Sequence, residues 1–119
     1  MSHSLVFVLG SAPHGSSRAR EGLDAVLAAS AVCEDIVVFF EGDGVWQLLK
    51  DQSPTEIMQR NVLPTYGLLD LYEVEELFVD RQALRDRQLS IDHLAIKITE
   101  IDAKQFYLKH ANAHAIVRF

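Results

Sequence analysis

This chain of 119 residues has one cysteine, one tryptophan and three prolines. A lone thiol, Cys33, cannot close an intramolecular disulfide, so the fold must be held by its core. A reducing, cytoplasmic setting is the expected compartment. No apolar run approaches the ~18 residues of a membrane span. The short apolar run Leu5 to Leu9 has no basic segment ahead of it, so no secretory signal peptide is expected. Cations are scarce as well, with 11 Lys and Arg against 17 Asp and Glu and a net charge of −6. A phosphate backbone is repelled by that average charge, so direct nucleic-acid binding is not the expected primary role. Repeats, low-complexity tracts and linkers are missing too, which leaves one domain over residues 1–119.

What is present organises around the stretch from Asp35 to Leu49. Ile36 to Phe40 is an unbroken apolar run, β-branched and aromatic, and reads as a strand buried on both faces. Glu41-Gly42-Asp43-Gly44 then allows a sharp turn, with Asp43 placed to cap a following helix that carries Val45, Leu48 and Leu49. Leu5 to Leu9 is a second such strand, and it leads into a loop, Ser11 to Ser17. Ser16 or Ser17 can cap the helix that follows, from about Arg18 to Val32, with Leu23, Val26, Leu27 and Ala31 on one face. Strand, helix and parallel strand make a βαβ unit.

Further on, Ser53-Pro54-Thr55-Glu56 is a capping box that opens a helix to about Val62, and Pro64 can begin another reaching Tyr72. Leu77 to Val79 reads as a third strand, followed by Asp80 as a cap and a short charged helix. His93 to Ile98, with Leu94, Ile96 and Ile98 alternating, reads as a fourth strand. Asp102 starts a helix whose apolar side holds Phe106, Tyr107, His110 and Ala111, and Ala115 to Val117 closes the chain as a fifth strand. The alternation predicts an α/β fold with a mostly parallel five-stranded sheet flanked by helices.

Few residues point to chemistry on their own. The Ser11 to Ser17 loop precedes a helix and could hold an anion, yet it lacks both the G-x-x-x-x-G-K-[ST] and the G-x-G-x-x-G patterns. His14 sits in that loop with no partner for catalysis beside it in sequence, and reads as a surface or interface residue. His110 and His114 are four apart but straddle a helix end, and no metal site is expected from them. Gly42-Asp43-Gly44 lacks the second carboxylate group after the first strand that an acidic metal pocket needs. Cys33 is the one possible thiolate nucleophile. It ends a helix and precedes Glu34 and Asp35, both of which disfavour a thiolate. A small half-buried hydrophobe is the simpler reading.

Two stretches carry a resemblance: Phe7 to Ala29, FVLGSAPHGSSRAREGLDAVLAA, and Val38 to Leu49, VFFEGDGVWQLL. Leu68 to Leu89, LLDLYEVEELFVDRQALRDRQL, and the closing IVRF continue it. Together they resemble the DsrE/DsrF-like family of sulfur-relay proteins, in particular its DsrF-type, TusC-like subunits. The resemblance implies a flavodoxin-like sheet of five parallel strands; no cofactor is expected. It also implies TusB-like and TusD-like partners in a heterohexamer that passes persulfide sulfur towards the 2-thiouridine of the tRNA wobble position. In sulfur-oxidising bacteria, similar proteins serve dissimilatory sulfur metabolism.

The family's acceptor cysteine lies in the TusD-like subunit, after the third strand. Here Val79 or Asp80 falls at that place, and neither can carry a persulfide. The carry-over therefore implies a structural, non-catalytic subunit, with a sulfurtransferase using Cys33 as the alternative. Trp46, Tyr66 and Tyr72, with His14, are the candidate interface residues.

Overall fold

The computed structural model describes residues 4–12, 16–33, 35–49, 74 and 76–119. The expected helices between Ser53 and Tyr72 lie outside the described residues, as do His14, Tyr66 and Tyr72. The sheet consists of β1 (Leu5–Leu9), β2 (Ile36–Phe40), β3 (Glu76–Asp80), β4 (Thr99–Ile101) and β5 (Ala115–Arg118). Its order is β4-β3-β2-β1-β5, and every neighbouring pair is parallel. The two apolar runs became strands with the bounds their composition suggests, because a strand covered on both faces needs no polar alternation.

Side chains alternate across the sheet and split the core in two. On one face Phe7, Leu9, Val38, Phe40, Leu77 and Val79 pack with Leu23 and Val26 of α1 (Arg18–Ser30). Val45 and Leu48 from a 3₁₀ segment, Gly42–Leu48, and Leu84 from α2 (Arg81–Asp86) complete that core. On the other face Val6, Val8, Val37, Phe39 and Phe78 meet Phe106 of α3 (Ala103–Lys109). Phe106 stacks on Phe39 at 4.1 Å between ring centroids and meets Phe78 edge-on at 5.6 Å. The edge-on arrangement is favoured by the ring quadrupole.

Three local expectations are corrected. The fourth strand is Thr99–Ile101, not His93 to Ile98. His93 lies in a 3₁₀ turn, Ile91–His93, and Leu94 makes an isolated antiparallel bridge to Leu49. Leu94, Ile96 and Ile98 lie against the first core from outside the sheet, in a segment that bends at Ala95 and Ile96. Such a segment shows the same period as a half-buried strand without joining the ladder. The element after β2 is a 3₁₀ helix, and Asp43 does not cap it; Glu41 is its N-cap residue, without a side-chain hydrogen bond. Asp43 is instead ion-paired with Arg87 at 2.8 Å. Finally, α1 ends at Ser30, and neither serine caps it at the usual N2 or N3 amide: Ser16 Oγ accepts from the Arg18 N–H at 3.3 Å, while Ser17 Oγ donates to Glu21.

Candidate functional site

Because all five strands run the same way, their carboxyl ends share one edge of the sheet. In open α/β sheets that edge is where functional groups collect. Here it brings together Glu41 after β2, Asp80 at the end of β3, Asp102 after β4 and Arg118 at the end of β5.

The turn after β2 is shaped by two glycines. Gly42 has φ +52°, in the left-handed region. Gly44 lies against β1 so closely that a Cβ there would sit 1.9 Å from the Leu9 carbonyl oxygen. The Glu41 N–H donates to that same oxygen at 3.1 Å. Gln47, 2% exposed, donates from Nε2 to the Ser11 carbonyl at 2.9 Å. The turn is thereby tied to the start of the β1–α1 loop.

Glu41 is the hub of a polar network. The Tyr107 hydroxyl donates to Glu41 Oε1 at 3.0 Å and accepts from an Arg118 guanidinium N–H at 3.0 Å. Arg118 also stands 3.7 Å from Glu41 Oε2. Burial, the largest cause, holds the Tyr107 phenol above its ordinary range; the Arg118 hydrogen bond opposes this, and Glu41 adds to it. Tyr107 therefore stays a neutral donor and is not poised as a base. On the other side of the turn, Arg87 joins Asp43 to the Ala83 carbonyl, at 2.8 Å and 3.0 Å.

Val79 and Asp80 belong to this edge but do unreactive work. Val79 is fully buried in the first core. Asp80 caps α2, accepting from the Gln82 N–H at 3.2 Å. Burial raises its pKa, with Glu41, Asp102 and Asp86 adding to the shift and the Gln82 hydrogen bond opposing it. A carboxyl group held there supplies a helix cap.

Cys33 lies at the other end of the molecule. It follows α1 and precedes β2, with its N–H bonded to the Ala29 carbonyl at 2.9 Å, and its side chain rests half-buried on the first core. The backbone carbonyl of Asp35, two residues on, accepts from the Leu5 N–H at the amino ends of the strands. The length of the sheet thus separates Cys33 from Val79 and Asp80. Trp46 is half-buried in the 3₁₀ segment. Among the described residues no group of three or more His, Cys, Asp or Glu is arranged to hold a metal ion. Among them too, no helix is long and apolar enough to cross a membrane.

With this geometry in hand, the comparisons with known proteins decide the family. The DsrE/DsrF-like family profile matches residues 3–119. The chain belongs to the DsrE/DsrF-like family. It is 45% identical to a TusC homolog of Aliivibrio fischeri over 115 residues, which is 97% of this chain and 98% of that protein. It is 40% identical to TusC of Escherichia coli over 116 residues, with the same coverage. Among solved structures, the ychN protein of E. coli shares the fold with a TM-score of 0.79 at 18% identity, covering 98% of this chain and 99% of that one. A protein of unknown function from Methanobacterium thermoautotrophicum does so with a TM-score of 0.70 at 15% identity, covering 99% and 100%.

In this DsrE/DsrF-like chain the polar network was not visible as a unit in the sequence. Glu41, Tyr107 and Arg118 come from three distant segments, and Tyr107 reads simply as part of an apolar helix face. One signal was available: Glu41 and Arg118 each close an apolar run. Parallel topology alone puts such residues at one edge.

Proposed function

We propose that this chain is a non-catalytic subunit of a TusBCD-like sulfur-relay complex in the cytoplasm. In that complex it supports persulfide transfer for 2-thiolation of the tRNA wobble uridine, beside TusB-like and TusD-like subunits in a heterohexamer. One observation carries the non-catalytic part of the reading. The place at the end of the third strand, corresponding to where TusD-like subunits hold the acceptor cysteine, is filled here by buried Val79 and by Asp80 serving as a helix cap. A hydrocarbon and a carboxylate have no sulfur to accept the sulfane atom. The thiol that the chain does have, Cys33, sits a sheet's length away. The family membership and the near full-length similarity to TusC proteins support the relay part.

The test replaces Cys33 with Ala in the assembled complex and measures 2-thiouridine formed in tRNA. Thiolation at the wild-type rate is expected. Loss of thiolation with the complex still assembled would make Cys33 a sulfur carrier and overturn the proposal.

A further inference from the structure

The sheet ends on one side with β5, and that strand is unusually open. Ile116 is 42% exposed and Val117 39% exposed, although both sit in a strand. Phe119 donates to the Val8 carbonyl and accepts from the Gly10 N–H, so it spends both backbone groups on β1. In a parallel ladder these roles alternate along the strand. Hence Val117 faces β1 as well, while the N–H and C=O groups of Ile116 and Arg118 point outward from the edge. An exposed row of this kind is a template for another strand.

Beside the edge lies a matching stripe on α3. Lys104, Tyr107 and Leu108 recur at i, i+3 and i+4, a single helical face. The bond between Tyr107 and Arg118 turns that face towards β5. Leu108 on it is 69% exposed, and Lys104 is exposed. Ile116 shares the sheet face of Val6, its register partner, which is the face that α3 covers. Residues 103–119 contain no Asp or Glu, in a chain with 17 Asp and Glu against 11 Lys and Arg; Lys104 and Arg118 flank the edge, while Lys109 lies over the Phe78 ring. An apolar, hydrogen-bonding and cationic strip therefore runs along one edge of an otherwise acidic molecule. Among the described residues Glu41 is the carboxylate bound to it, through Tyr107 and Arg118.

We infer that β5 and the adjoining stripe of α3 receive an extended segment of a partner protein, added as a sixth strand. The segment carries apolar side chains against Ile116 and Leu108 and acidic ones against Lys104 and Arg118. Main-chain hydrogen bonds supply affinity in this mode, and the side chains beside the edge supply specificity. A nucleic acid fits the cations but uses neither the outward amide row nor the exposed leucine and isoleucine. This inference rests on the proposal that the chain works within a complex.

Hydrogen exchange tests it, on the lone chain and on the complex purified after co-expression with TusB-like and TusD-like proteins from the same source. The amides of Ile116 and Arg118 exchange rapidly in the lone chain and slow at least about tenfold in the complex, as ladder amides do. Lys104→Glu, on the exposed helix surface, and Ile116→Asp each weaken assembly about tenfold or more, the former less so at high salt, with circular dichroism confirming the fold. If the complex forms while these amides stay fast, or if both variants assemble normally, the surface assignment fails and the relay reading stands. If no complex forms, both fail. Protection already present in the lone chain, or gained only on adding tRNA, overturns the choice of a partner strand.

Discussion

The two ends of the sheet are built differently. At the carboxyl end, turns and strand ends are locked to one another. Gly44 presses on Leu9, Gln47 holds the Ser11 carbonyl, Arg87 joins Asp43 to Ala83, and Tyr107 joins Arg118 to Glu41. At the amino end, Cys33 rests on the core with its backbone closing a helix and, among the described residues, its thiol in no comparable network. A site for group transfer needs a nucleophile where the organised polar groups are. Among the described residues the organised edge holds no thiol, and the chain's one cysteine, Cys33, lies at the other end. The difference suits a subunit that shapes an assembly rather than one that takes the sulfur.

The sharpest way to break the organised end is Gly44→Ala. A Cβ 1.9 Å from a backbone carbonyl must push β1 and the turn apart. The expected cost is about 3–5 kcal/mol, at the upper end for single substitutions, read as the shift in urea midpoint. Phe106→Ala should come close behind. It opens a cavity under α3, against Phe39 and Phe78, at about 3–4 kcal/mol by the same assay. That loss also frees Tyr107 from its post, linking the aromatic core to the polar edge.

Smaller changes sharpen the contrast. Tyr107→Phe removes the hydroxyl between Arg118 and Glu41 and should cost about 1 kcal/mol. In a double-mutant cycle with Glu41→Gln, the two effects should be clearly non-additive. At the amino end, Cys33→Ala should cost less than about 1 kcal/mol, since a half-buried residue outside any network is replaced by one slightly smaller.

His110 gives a pH signature at that same end. Its pKa is lowered, first by burial and then by Lys109, with Glu76 opposing. The folded protein resists protonating it, so its contribution is fully present above about pH 6.5, the unfolded value, and is lost as pH falls towards the lower folded value. Urea midpoints measured from about pH 7 down to 5 should decline, and His110→Phe should flatten part of that decline.

How much of this was legible follows from what each signal encodes. Leu5 to Leu9 and Ile36 to Phe40 announce themselves, because a strand buried on both faces must be apolar at every position. The alternation of Leu94, Ile96 and Ile98 announces burial on one core, yet says nothing about whether the backbone pairs with the sheet. Asp43 was placed as a cap by local rules, which cannot see Arg87 arriving from 44 positions away. Tyr107 and Glu41 are 66 positions apart, and their meeting depends on strand order that no local pattern carries. Asp80 as a cap, by contrast, was readable, since its partner is two residues away.

The central claim is that this subunit does not carry the sulfur. The most direct measurement is native mass spectrometry of the co-expressed complex after sulfur loading, followed by intact mass of each chain. The account predicts a stoichiometric complex in which added sulfur mass appears on the TusD-like chain and this chain keeps its unmodified mass. A persulfide on Cys33 would contradict it.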